Sequence, residues 1–463
     1  MKLLERAGSV CFPNIDFAAS ALVAAMVSDE SSTVESSHLT DEDCPERLGF
    51  GVQWVFPETH GKRVTWLSGT RHVVGRDAGC DVVLTGDEIS RRHAELRRTG
   101  PLCVVRDLES KNGVFLNGEQ VSSAAFSQGD VLRIGDWVGI AIRGAPEDVV
   151  EVGELGPGLF GGAALRRVVA QARAAADSML PIMLVGETGT GKERFAHAVH
   201  EWSRRPGPML PVNCASYTEA LAAALLFGHR KGAFTGADAS SLGHVRAADT
   251  GTLFLDEIAE LPQSVQAQLL RVIEQGEVMP VGDTKVACVD VRFVSASQVP
   301  LATLVAEKRF RADLRARLEG VLLELPPLRQ RRTDIPYLAE AFLRQHARDA
   351  PPALDARLAE ALCLRPWTLN VRELDLMMRR LLTLFADERI LKLAKVASAL
   401  QENVATPVSS DQKPRRRRPA DDAQRAELDV ALERCNGNLT KAATQVGITR
   451  AKAYRLLSAK NPR

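Results

Sequence analysis

The chain has 463 residues, 45% of them hydrophobic and 25% charged, with a formal net charge of +1. These values exclude a disordered or fibrous protein and leave room for roughly three domains. The eight cysteines lie far apart with no CxxC pair or Cys/His cluster, which argues against structural zinc and against a disulfide framework.

Residues 1–48 combine a short apolar run, "FAASALVAAMV" (17–27), with a stretch from 28 to 46 that holds seven acidic side chains and no Lys or Arg. The run is too short to cross a bilayer and is flanked by Asp16 and Asp29, so the segment reads as a disordered extension of a cytoplasmic protein.

From 50 to 145 short apolar runs such as "RVTWL", "HVVGR", "LCVVRDL" and "DVLRIG" are punctuated by Gly, Asp and Asn, the rhythm of an all-β domain. Four polar blocks fall between those runs: "GRDAGCDVVL", "ISRRHAEL", "DLESKNGVFLNG" and "GDVLRIG". Together they resemble a forkhead-associated (FHA) domain, a β-sandwich that reads phosphothreonine. The resemblance implies that Arg76 pairs with the phosphate, aided by Ser90, Arg91 and Lys111, while Asn112 binds the ligand backbone. His93 reads as a packing residue. Residues 146–159, "GAPEDVVEVGELGPG" and its flank, read as a linker.

From 160 to 400 strands such as "PIMLVG" and "GTLFLD" alternate with helical patterns, which predicts an α/β domain. "VGETGTGKE" places Gly186, Gly191 and Lys192 in a GxxxxGK loop after an apolar strand and before a helix. Backbone N–H groups from Gly186, Glu187, Thr188, Gly189, Thr190 and Gly191 would wrap nucleotide phosphates there, with Lys192 on the β/γ oxygens and Glu193 where Ser or Thr is usual. A second strand, "GTLFLDEI", ends in Asp256, suited to hold Mg²⁺ beside ATP, and Glu257, suited to polarise water.

Residues 160–395 resemble the AAA+ domain of bacterial enhancer-binding proteins, the activators of sigma-54 RNA polymerase. The motifs that carry the resemblance stand in order: "GETGTGKE", "PVNCAS", "FGHRKGAFTGAD", "FRADLRARL", "LPPLRQRRTDIP" and "NVREL". It implies that Asn213 restrains the catalytic Glu257, that Arg311 and Arg317 reach the nucleotide of the next subunit in a ring, usually a hexamer, and that Arg372 is the sensor II arginine. It also implies that the loop Gly232, Ala233, Phe234, Thr235, Gly236 and Ala237 moves with the nucleotide state and touches sigma-54, with Phe234 as an exposed apolar contact. Four departures bear on that coupling. Sensor I reads Ala296-Ser297-Gln298, "WPGN" is replaced by Trp367-Thr368-Leu369-Asn370, Pro280 stands where Arg is usual, and Arg230 replaces a usual Glu.

Residues 401–420 form a basic linker containing "RRRR". From 413 to 463 there are 13 Lys and Arg against 5 Asp and Glu, a net charge that points to nucleic acid. Residues 421–463 place three helical segments around "NGN" and Gly447, and resemble a Fis-type helix-turn-helix. Thr449, Arg450, Lys452, Tyr454 and Arg455 are the implied enhancer-DNA contacts.

The expected protein is thus multidomain: an FHA sandwich, a P-loop ATPase with a helical lid, and an all-α DNA-binding end. It would couple ATP hydrolysis to remodelling of sigma-54 RNA polymerase under the control of a threonine-phosphorylated partner made by a Ser/Thr kinase. The alternatives are a generic AAA+ remodelling ATPase and a catalytically impaired DNA-binding scaffold or repressor.

Overall fold

The computed structural model describes residues 49–57, 63–68, 71–99, 102–145, 151–234 and 237–401. The N-terminal extension and the helix-turn-helix, with Thr449, Arg450, Lys452, Tyr454 and Arg455, lie outside the described residues.

Two sheets stack face to face in the first domain. One runs in the order Arg63–Trp66, Gly49–Phe56, Trp137–Gly144, Val131–Ile134, Val114–Leu116, Glu119–Val121. The other runs Val82–Val83, His72–Gly75, Ala94–Thr99, Leu102–Asp107, Ser123–Phe126. Alternating apolar side chains from both close on one core that includes Val52, Trp54, Val74, Leu96, Val105, Leu132 and Trp137. Trp54 and Trp137 meet edge to face at 6.1 Å, and each buried indole N–H is satisfied, by Thr65 Oγ1 at 3.0 Å and Thr85 O at 2.7 Å.

The segment read as a linker carries structure of its own. Gly153–Gly156 pairs antiparallel with Leu159–Gly161, so the intervening Pro157-Gly158 is a hairpin turn rather than a free tether.

Five parallel strands form the second sheet, in the order Met209–Asn213, Thr252–Asp256, Arg292–Ser297, Ile182–Val185, Val321–Glu324. Ile182–Val185 and residues 253–255 are continuous buried apolar runs, as expected of parallel strands covered on both faces. Arg292 is 1% exposed, and its guanidinium donates to the carbonyls of Ala175 and Ala176 at 2.8 and 2.9 Å and to Ser178 O. It thereby caps the helix Ala163–Ala176 at its negative end. The lid follows as helices Ile335–His346, Ala356–Leu364 and Asn370–Leu384.

The sandwich rests against this lid. Arg133, from the strand Val131–Ile134, donates from Nε to Glu360 Oε2 at 2.6 Å, with side chains only 6% and 7% exposed. Arg332 donates to Gly129 O at 2.7 Å.

Candidate functional site

The first ATPase strand ends at Val185, and the loop after it passes through Gly189 at φ +77 and Gly191 at φ +105 into the helix Lys192–Ser203. A side chain at Gly189 would place its Cβ 2.0 Å from Leu369 O, so this glycine is what lets the phosphate loop lie against the lid. The helix packs by Phe195, Ala196, Ala198 and Val199, which aims its N-terminal N–H groups at the loop.

A cavity of about 340 Å³ opens at that point. Its walls bring together Thr188, Gly189, Lys192, Asn213, Asp256, Glu257 and Arg372, together with Phe342, Val371 and Asp375 from the lid. Residues separated by the whole length of the domain thus share one space. Lys192 is 7% exposed and donates from Nζ to Gly186 O at 2.7 Å and Glu187 O at 3.3 Å. Burial lowers its pKa, and Glu257 and Asp256 pull it back up. Asp256 shows the converse: burial raises its pKa, the Glu257 charge adds to that, and Lys192 opposes both. Beside them the Cys214 thiol is pushed up to about 12, by burial first and then by the two carboxylates, so it is no nucleophile.

Glu257 adopts φ +52, an uncommon conformation for a non-glycine residue at the turn after the strand. Its carboxylate accepts from Gln298 Nε2 at 2.8 Å. Asn213 lines the same cavity, but its Oδ1 accepts from Ala215 N at 2.9 Å and caps the short helix Cys214–Ser216. The described hydrogen bond on Glu257 therefore comes from the sensor I glutamine.

Sequence reasoning passed over three further residues. Arg329 grips Glu187 with two bonds of 2.6 and 2.7 Å, which lowers the Glu187 pKa. Asn370, fully buried at φ +52, donates to Thr188 O at 3.0 Å and Glu187 Oε2 at 3.2 Å, and accepts from Leu328 N at 2.7 Å. Asp375 holds His346 Nε2 at 2.7 Å and Arg379 Nη2 at 2.8 Å. The sequence signals were Arg329, which falls within "LPPLRQRRTDIP", and Asn370, which survives with Trp367 while the two residues between them have changed.

Arg311 and Arg317 do not line this cavity. Arg311 forms a two-point ion pair with Asp313 at 2.7 and 3.0 Å, and Arg317 pairs with Glu274 at 2.7 Å, all on the exposed surface. Thr235 and Gly236 lie outside the described residues. The base of their loop is tied by Arg230 to Asp283 at 2.7 Å and by Gly232 N to Ala237 O at 2.8 Å. Phe234 was expected to be exposed. It is half-buried, with its ring 5.0 Å from and tilted against that of His229, because packing on another aromatic ring removes apolar surface from water.

The residues expected to bind phosphothreonine converge at one end of the sandwich. Gly75 has no room for a Cβ, which would lie 2.2 Å from Arg91 O, so the loops at 76 and 90 run side by side. Arg76 N donates to Ser90 O at 3.0 Å, Lys111 N to Ser90 Oγ at 3.0 Å, and Asn112 Nδ2 to Glu88 O at 2.9 Å. Arg76, Arg91 and Lys111 are exposed while Ser90 and Asn112 are half-buried. His93 is fully buried beneath them, taking Ser90 N on Nδ1 at 3.1 Å and meeting Gly113 O with Nε2 at 3.1 Å, and burial lowers its pKa. It orients the loops as a neutral ring.

Among the described residues no helix is long and apolar enough to cross a membrane, and no cluster of three His, Cys, Asp or Glu is poised to hold a metal.

Family profiles match the chain in four successive blocks: an FHA domain over 72–135, the Sigma-54 interaction domain over 160–324, an AAA+ ATPase lid domain over 329–413 and a Fis-family bacterial regulatory protein over 420–455. The chain is 38% identical to the transcriptional regulatory protein ZraR of Salmonella typhimurium, over 64% of this chain and 67% of that protein. It is 38% identical to the response regulator PilR of Pseudomonas aeruginosa, over 71% and 75%. Identity reaches 47% with the Nif-specific regulatory protein of Rhodobacter capsulatus, over 46% of this chain and 37% of that one. With the phosphate loop, the paired carboxylates and the lid in one cavity, the chain belongs to the sigma-54-dependent transcriptional regulators, as an AAA+ ATPase carrying an FHA domain in front and a Fis-type DNA-binding domain behind.

Proposed function

We propose that this regulator hydrolyses ATP as a ring, a hexamer, and spends the cycle on moving the 232–237 loop against sigma-54. The observation that carries the reading is the single cavity shared by Lys192, Asp256, Glu257 and Arg372. Lys192 binds the β/γ phosphates, Glu257 orients the attacking water, and Arg372 reaches the γ-phosphate from the lid. Asp256 fits Mg²⁺, since its half-buried carboxylate, strained by the charge of Glu257, gains from a cation held jointly with phosphate oxygens. The metal, when bound, neutralises charge on the transferring phosphoryl group.

Arg311 and Arg317, on the surface and away from their own cavity, serve the neighbouring subunit. Asn213, at the edge of the cavity, takes part in restraining Glu257. Arg76, Ser90, Arg91, Lys111 and Asn112 read phosphothreonine on a partner phosphorylated by a Ser/Thr kinase. Thr449, Arg450, Lys452, Tyr454 and Arg455 contact enhancer DNA.

The test separates motor from tool. Thr235→Ala and Phe234→Ala are expected to keep ATP hydrolysis and enhancer binding, yet to lose the sigma-54 complex trapped by ADP–aluminium fluoride and to leave a sigma-54 promoter closed. Full promoter opening by both variants would show that the loop is only a turn.

A further inference from the structure

Between the FHA sandwich and the ATPase lies a second cavity, of about 540 Å³, separate from the nucleotide cavity and from the phosphothreonine loops. Its FHA wall includes Trp66, Ile140 and Arg143, and its ATPase wall includes Arg167 together with the run Arg329 to Thr333. Five guanidinium groups therefore border one space. Two have carboxylate partners: Arg329 on Glu187 at 2.6 Å, and buried Arg331 facing Asp334 at 3.7 Å. Arg143 and Arg167 are exposed and Arg332 is half-buried, and among the described residues no carboxylate pairs with any of the three. Arg332 spends one Nη on Gly129 O at 2.7 Å, while the Nε atoms of Arg331 and Arg332 have no hydrogen-bond partner.

Like charges gathered in a half-enclosed, low-dielectric cleft repel one another and raise its potential, a cost that a bound anion removes. Planar guanidinium groups match phosphate oxygens two at a time. The volume is that of a cofactor-sized ligand rather than a single phosphate. Trp66 and Ile140 supply an apolar wall beside the charge.

We infer that this cleft binds a small phosphate-bearing anion, held jointly by Arg143 of the FHA domain and by Arg167 and Arg332 of the ATPase. Such a ligand bridges the two domains. It also lies one residue from the phosphate loop, because Arg331 Nη2 points to Thr190 O at 3.4 Å and Glu187 is held by Arg329.

The experiment is calorimetric titration of the full chain carrying Lys192→Ala and Arg76→Ala, which silence the other two phosphate sites, with inorganic pyrophosphate and with GDP as probes. One site per chain is expected, weakened roughly tenfold by Arg143→Gln and again by Arg167→Gln, the worth of a charge-assisted bond each. Arg166→Gln, an exposed neighbour that does not line the cleft, is expected to change nothing. GDP binding more tightly than pyrophosphate, with the advantage lost in Trp66→Ala, identifies a nucleotide as the occupant. Equal binding identifies an inorganic polyphosphate. No binding of either probe, or an equal loss from Arg166→Gln, overturns the assignment.

Discussion

Removing Glu360 isolates the force that holds the FHA sandwich on the lid. In the parent its carboxylate meets Arg133 Nε at 2.6 Å with both side chains more than nine-tenths buried, and the Arg133 guanidinium also lies 3.7 Å above the Phe115 ring. Glu360→Ala leaves that guanidinium buried and uncompensated, a change that costs about 3–5 kcal/mol where such pairs have been broken. At ~1.4 kcal/mol per decade, the population with the two domains apart rises by roughly two to three and a half decades, until opening is complete. The reporter is native. Cys363 sits fully buried in the same helix as Glu360, its Sγ 3.9 Å from the carbonyl of Arg332, whose side chain reaches Gly129 of the sandwich.

Peptide-resolved thiol labelling is expected to accelerate at Cys363 in Glu360→Ala, while Cys103 in the sandwich and Cys214 in the ATPase core keep their parent rates. The double replacement Arg133→Leu with Glu360→Leu is expected to recover most of the protection, because an apolar pair of similar volume carries no desolvation cost. Unchanged labelling of Cys363 in Glu360→Ala would refute the reasoning, and equal acceleration at all three thiols would show that the pair supports the fold rather than the docking.

Three further outcomes follow from the two sites. Lys192→Ala is expected to lose nucleotide binding, whereas Glu257→Gln keeps it and loses turnover by ~10²-fold or more, read by equilibrium binding beside steady-state ATPase. Arg76→Ala is expected to weaken a phosphothreonine peptide by about tenfold or more in calorimetry, with its unphosphorylated form unaffected as the control. Because burial holds the folded-state pKa of His93 below its ordinary 6.5, its contribution to stability is complete above that value and is lost as pH falls through the lowered one. The urea midpoint of the sandwich, followed by Trp fluorescence, is therefore expected to drop as the pH falls below about 6.5, and a His93→Asn variant to show a flatter profile.

The parts of the molecule that could be read from the chain are those whose chemistry is local in sequence. The phosphate loop is eight consecutive residues fixed by glycine geometry, Asp256 and Glu257 are adjacent at a strand end, and the residues proposed to read phosphothreonine fall in neighbouring loops of one short domain. What was hidden depends on distance. Gln298 lies 41 residues from Glu257, Asn370 lies 183 from Glu187, and Arg133 lies 227 from Glu360. Composition does not announce such pairs, since a Gln or a Glu on a helix is most often solvated. The hairpin at 153–161 was missed for a different reason. Gly and Pro signal a chain reversal, and only the partner strand decides whether that reversal is a tether or a turn.

Three of the four departures from the family pattern are explained by where the chemistry of each position sits; nothing in the structure explains Pro280. Asn370 is the member of Trp367-Thr368-Leu369-Asn370 whose side chain bonds to the phosphate loop, and it is retained. Thr368 Oγ1 and Leu369 N meet Glu373, and Leu369 meets Gly189 through its backbone carbonyl, so the side chains at both positions are free to differ. At sensor I the amide that meets Glu257 is that of Gln298, one methylene longer than the asparagine usual there, and it reaches the carboxylate at 2.8 Å. A donated amide bond fixes the orientation of the carboxylate and leaves its remaining lone pairs able to accept. At the moving loop, the Arg230 that replaces a usual Glu finds Asp283, whose pKa is lowered chiefly by the backbone N–H of Lys285, and the pair ties the loop base to the turn at Gly282. Gln298 and Arg230 thus each keep a contact, on Glu257 and at the base of the loop, and the geometry favours a working motor over a silent scaffold.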